Sequence, residues 1–211
     1  MLYSGKDLRK LIIPLIIEQI LAIAVGMADT IMVSAAGEAA VSGVSLVDTV
    51  NILLINVFSA LATGGAVVSG HFLGKKKRED ACKSAWQILL FATLLALVIS
   101  VIFITAHDPL LRLMFGKIED DVMKASKTYL IITTYSFVAL AIYNSCAALF
   151  RAMNESKVTM WVSLLMNVIN VVGNAICIYG LHMGVAGVAI PTTISRYVAA
   201  VVIFLLMFQS K

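Results

Sequence analysis

Six apolar runs govern what this chain can become. They cover residues 11–33, 46–73, 86–105, 129–150, 158–179 and 188–208. A hydrocarbon core about 30 Å thick takes roughly 20 apolar residues to cross as a helix. That core has no water to bond backbone N–H and C=O groups, and a helix satisfies them within one segment. The runs therefore predict an all-α membrane protein, a six transmembrane helix bundle forming one domain over residues 1–211. The chain is 61% hydrophobic and only 13% charged, with a mean hydropathy of +0.98, which no soluble domain of this length needs.

Several function classes drop out. The net charge of +4 does not predict nucleic-acid binding, because the basic residues fall between apolar runs rather than along a stripe with aromatics. Cys82, Cys146 and Cys177 are odd in number and widely spaced, so neither a disulfide framework nor a zinc site follows. His71, His107 and His182 have no metal-ligand spacing. No nucleophile–base pair or metal motif is visible, so the chain does not read as an enzyme. The first run follows Lys6, Arg9 and Lys10 but is too long for a signal-peptide core and lacks a clear cleavage site, so it reads as a retained first helix.

Charge sets the expected orientation. One set of turns carries Lys6, Arg9, Lys10, Lys75, Lys76, Lys77, Arg78, Lys83, Arg151, Lys157 and Lys211. The other set carries four basic residues, all in the loop 107–128, where Asp108, Glu119, Asp120 and Asp121 dilute them. Eleven against four, leaving out intramembrane Arg196, predicts a multi-pass protein of the cell membrane with both termini cytoplasmic.

Polar residues inside the runs then carry the functional question. Asp29 lies in the outer third of the first span, where a carboxylate costs roughly 2.5–3.5 kcal/mol near a helix centre and marks an ion or proton pathway by default. Asn167, Asn170 and Asn174 recur at i, i+3, i+7 and share one face of the fifth span. Thr192 and Thr193 lie in the outer third of the sixth. Alternating topology thus puts oxygen ligands from three spans at one depth. One carboxylate with amide and hydroxyl oxygens suits Na⁺, a hard cation, and equally suits a carboxylate that exchanges a proton. The competing reading is that Asn and Thr join helices by interhelical hydrogen bonds, most of all at Asn167. Glu18, three turns before Asp29, either lines a cavity or pairs with a cytoplasmic basic residue. Arg196, one turn from Thr192, should have a carboxylate partner, Asp29 or Glu18, or cap a cavity wall. Asp48 reads as interfacial, near the outer end of the second run.

The chain resembles the multidrug and toxic compound extrusion (MATE) transporters. The segments that carry the likeness are PLIIEQILAIAVGMADTIMVSAAGEAAVSGVSL, LFRAMNESKVTMW, NVINVVGNAICIYG and MGVAGVAIPTTISR, in family order and at family spacing. The resemblance implies one lobe of a twelve-helix transporter, with the two lobes facing a central cavity. Its chemistry would be antiport, with Na⁺ or H⁺ entering and amphipathic or cationic compounds leaving, and with no further cofactor. The implied cation site falls on Asp29, Asn170, Asn174 and Thr192, with Glu18, Asn167 and Arg196 as cavity or coupling candidates and no metal beyond Na⁺ at Asp29. Asn174 stands where some members carry Asp, which leaves one acid instead of two. Pro191 stands where a small residue is usual. All the likeness belongs to the N-terminal half, and no second copy of the pattern is visible. The expectation is a piece of a longer protein whose partner is the missing C-terminal lobe. The alternative is a half-size protein that pairs as a parallel homodimer in the bilayer. Two rival functions are an inactive or scaffold half-transporter and a lipid-precursor flippase of the same superfamily, the latter needing a strongly basic cavity.

Overall fold

The computed structural model describes residues 5–209, so Lys211 of the charge tally lies outside the described residues. Eight α-helices follow in order: α1 (Gly5–Ser34), α2 (Glu38–Gly74), α3 (Arg78–Thr105), α4 (His107–Phe115), α5 (Asp120–Thr134), α6 (Phe137–Ala152), α7 (Ser156–Ala175) and α8 (Ala186–Gln209). A π-helical turn, Ile176–Gly180, closes α7. Among the described residues there is no strand. Among the described residues five helices are each long and apolar enough to cross a membrane, and the bent α5–α6 pair makes a sixth crossing when taken as one broken span. Lys75 to Lys83, Arg151 and Lys157 collect at one end of the bundle, called here the basic end.

Several helices begin before their apolar runs, α3 at Arg78 among them, and two of these differences have a plain local reason. Helix α2 starts at Glu38, eight residues before the apolar run. Gly37 makes the reversal at φ 101°, a conformation that favours glycine, and Glu38 places a carboxylate against the positive helix N-terminus. The loop 107–128 is largely helical: it holds α4 and the first turns of α5, whose opening turn carries Asp120 and Asp121.

The fourth span is broken, which the continuous apolar run did not reveal. The axes of α5 and α6 differ by 52°. The break falls in the sequence Thr133-Thr134-Tyr135-Ser136, where side-chain hydroxyls compete for backbone carbonyls. Thr133 and Thr134 donate to the carbonyls of Tyr129 and Leu130 at 2.8 and 2.6 Å. Hydroxyls cap three carbonyls at the break: Thr193 donates to Ile132 (3.1 Å), Ser136 to Thr133 (2.6 Å) and Tyr197 to Tyr135 (2.7 Å). A fourth carbonyl, that of Thr134, has the Ser100 hydroxyl beside it at 3.4 Å, whose proton goes chiefly to the Ala96 carbonyl at 2.8 Å. Non-helical backbone at membrane depth is tolerated only where protein satisfies it in this way.

Packing divides the bundle into α2, α3 and the α5–α6 pair on one side and α1, α7 and α8 on the other, joined where α8 meets α5 and α6. Helix α1 is the peripheral member. It rests mainly on α7, and Ile12, Ile13, Ile16, Ile20, Ile23, Met27 and Ile31 face outward. Gly173 sets the α7–α8 distance, since a Cβ there would lie 2.6 Å from that of Pro191. The small residue at this crossing seats Pro191, and with it Thr192, against α7.

Candidate cation site

Asp29, Asn170, Asn174 and Thr192 form one hydrogen-bonded chain across three helices. The Asp29 carboxylate accepts from Asn174 Nδ2 at 2.6 Å. The same Nδ2 donates to Asn170 Oδ1 at 3.2 Å, and Asn170 Nδ2 donates to Thr192 Oγ1 at 2.8 Å. Thr192 in turn donates to the Val188 carbonyl at 2.8 Å. Asn174 is fully buried, and Asn170 and Thr192 nearly so. The helical period that put the two asparagines on one face of α7 therefore also aims them at α1 and α8. The π-turn begins at Ile176, two residues beyond Asn174, and such widened turns recur at functional sites.

The site offers a carboxylate, two amide oxygens and a hydroxyl oxygen, the donor set of a hard monovalent cation. Asn174 Oδ1 is buried with no hydrogen-bond partner among the described residues. An acceptor buried without a donor fits a site that a cation or proton carrier visits. Among the described residues no group of three His, Cys, Asp or Glu is placed to hold a transition metal.

The other predicted residues lie outside this chain. Glu18 pairs with a basic residue rather than lining a cavity. Its carboxylate accepts from Arg151 Nη2 at 2.9 Å and from the hydroxyls of Tyr143 and Thr159 at 3.4 Å each. Asn167 is buried, but its Nδ2 has no partner among the described residues. Thr193 turns away to cap the span-four break.

Arg196 corrects the sequence expectation of a carboxylate partner. Its guanidinium donates to Ser136 Oγ at 2.9 Å, and no carboxylate lies within 4.0 Å of it among the described residues. The break in span four supplies the hydroxyl that the helix pattern alone could not place. Asp29 and Asp48 remain near enough for their charges to be felt at Arg196, so the arginine balances acid without locking either one.

Asp48 is the residue to which sequence reasoning gave no role. It is half-buried and accepts from Tyr129 Oη at 2.9 Å and Asn51 Nδ2 at 3.3 Å. Because α2 begins at Glu38, Asp48 lies ten residues into the helix, about 15 Å from its start. Its i, i+3 pairing with Asn51 was the available signal.

The MatE family model matches residues 14–176. This chain belongs to the MatE family. Its members are transporters, and the chain is a multi-pass membrane protein. It is 31% identical over 199 residues to the uncharacterized transporter YisQ of Bacillus subtilis (strain 168), covering 92% of this chain and 43% of that one. It is 26% identical over 210 residues to the probable multidrug resistance protein NorM of Thermotoga maritima, covering 98% of this chain and 45% of that one. Among solved structures, an outward-facing multidrug resistance MATE family transporter of the MOP superfamily superposes with a TM-score of 0.89 at 25% identity. That likeness covers 96% of this chain and 45% of that one. A MOP superfamily transporter from Pyrococcus furiosus, described as having a binding pocket of reversed polarity, gives the same score and identity over 96% and 44%. The chain thus spans a little under half the length of these MatE relatives.

Proposed function

We propose that this MatE chain is the lobe of a cation-coupled exporter, and that Asp29 carries the coupling Na⁺ or H⁺. The observation that carries the reading is the state of that carboxylate. It sits at membrane depth, is held by one amide at 2.6 Å, and among the described residues has no guanidinium against it. Binding or release of the cation changes the charge that Asn174 and Asn170 face, and so changes how α1 sits on α7. We take the exported compounds to be amphipathic or cationic, in keeping with NorM relatives that are probable multidrug resistance proteins. The lobe works with a second lobe, a C-terminal one or a second copy related by a two-fold axis along the membrane normal. The excess of basic residues at one end supports a cell-membrane protein with cytoplasmic termini. A lipid-precursor flippase is disfavoured, because Arg196 is engaged by Ser136 instead of standing in a basic cavity.

The test is Asp29→Asn in the full-length transporter, reconstituted in vesicles with an imposed cation gradient and a fluorescent cationic dye. Gradient-driven efflux should vanish while the protein still folds and inserts. Efflux at the wild-type rate would refute the assignment.

A further inference from the structure

Helix α7 buries seven residues, and six of them carry a side-chain oxygen or nitrogen: Ser156, Thr159, Ser163, Asn167, Asn170 and Asn174. Their spacing of three or four residues keeps them on one face. From Ser156 to Asn174 that face runs about 27 Å, close to the thickness of a hydrocarbon core. An acid stands near each end. Glu18, with Arg151 and Thr159, lies toward the basic end, and Asp29, with Asn174, lies toward the other. The two acids are about 16 Å apart along α1.

Two observations argue against a dry, glued interface. The buried atoms Ser156 Oγ, Asn167 Nδ2 and Asn174 Oδ1, together with Arg151 Nε, have no hydrogen-bond partner among the described residues. Each would carry a desolvation penalty in hydrocarbon, and a water with two to four polar partners removes it. Helix α1 also covers the middle of this face with side chains that keep part of their own exposure. Between Glu18 and Asp29 it contributes no buried residue. Polar atoms lacking partners therefore lie on the buried face of α7, which α1 covers with part-exposed side chains.

The geometry points to a hydrated path along the α1–α7 seam that carries a monovalent cation, H⁺ or Na⁺, between Asp29 and the basic end, with Glu18 and Arg151 at its mouth. The path rests on the proposed role of Asp29 as the exchange site. Arg151 neutralises Glu18, so the mouth does not compete with Asp29 for the ion. The hydroxyls and amides between them offer ligands too weak to trap it.

The test uses single cysteines in the full-length transporter with its native cysteines replaced. Ser163→Cys and Asn167→Cys probe the seam, Val168→Cys faces outward, and Val162→Cys is buried among apolar side chains. A charged methanethiosulfonate is added from the side of the basic turns. Because only a solvated thiol ionises and reacts readily, the two seam cysteines should react at least roughly tenfold faster than Val162→Cys and Val168→Cys. Seam cysteines no faster than these controls overturn the path. Ser163→Cys is nearly isosteric, so it decides the matter if Asn167→Cys fails to fold. The same labelling in an Asp29→Asn background separates the two readings. Reactive seam cysteines with intact coupled efflux refute Asp29 as the exchange site, while unreactive ones with efflux lost refute the path alone.

Discussion

The ion pair that pins α1 near the basic end gives the sharpest energetic prediction. Arg151 Nη2 lies 2.9 Å from Glu18 Oε1, and the two side chains keep 27% and 10% of their exposure. Breaking a buried pair from one side leaves an uncompensated charge, which costs about 3–5 kcal/mol when burial is complete. The part-exposed arginine lets water screen some of that, so Arg151→Met should cost about 2–3 kcal/mol. The hydroxyls of Tyr143 and Thr159, both at 3.4 Å, are too distant to replace the guanidinium. Glu18→Gln should cost less, about 1–2 kcal/mol, since the amide oxygen still accepts from Arg151. The double variant removes both charges and should be no worse than Arg151→Met alone. The coupling energy then exceeds about 1 kcal/mol, above the roughly 0.3–0.5 kcal/mol within which independent sites add. Equilibrium unfolding titrated with SDS in mixed micelles, followed by circular dichroism, measures all three. A double variant whose loss equals the sum of the singles would refute the pair as an energetic unit.

Two other substitutions address the site itself. Asn174→Leu removes both the 2.6 Å donor to Asp29 and the unpartnered acceptor Oδ1, so gradient-driven efflux should fall at least about tenfold, the equivalent of one charge-assisted hydrogen bond; wild-type efflux would exclude Asn174 from the site. Arg196→Met removes the positive charge that Asp29 and Asp48 feel. At an effective dielectric of about 20, unit charges on the order of 10 Å apart exchange about 1.7 kcal/mol. Half-maximal efflux should therefore need roughly tenfold less coupling cation, and an unchanged requirement would show that Arg196 does not set the charge of the site.

What the sequence could and could not reveal follows from range. The six crossings were legible because apolar length is a local property. So was the meeting of Asp29, Asn170, Asn174 and Thr192, since a fixed rise per residue and an alternating topology convert position into depth. The break at Tyr135 and Ser136 was not legible, because it depends on hydroxyls brought by Ser100, Thr193 and Tyr197 from other helices. What was missed about charge descends from unseen backbone. The expected acid partner of Arg196 was displaced by a serine that only the break presents, and the partners of Asp48 were hidden because the polar first turns of α2 concealed where that helix starts.

Comparing the three membrane-depth acids shows why Asp29 is the one fitted to exchange. An ionised carboxylate has about four lone-pair positions to fill. Among the described residues Glu18 accepts from the Arg151 guanidinium at 2.9 Å and from the Tyr143 hydroxyl at 3.4 Å, while the Thr159 hydroxyl beside it donates chiefly to the Ser156 carbonyl at 2.9 Å. Asp48 accepts from two, Tyr129 and Asn51. Asp29 accepts from Asn174 alone, and that same asparagine holds a buried acceptor without a donor. The nearest fixed cation, Arg196, is drawn off by Ser136. An arriving cation therefore meets unfilled oxygen at Asp29, whereas at Glu18 it would have to displace a guanidinium and at Asp48 a phenol hydroxyl.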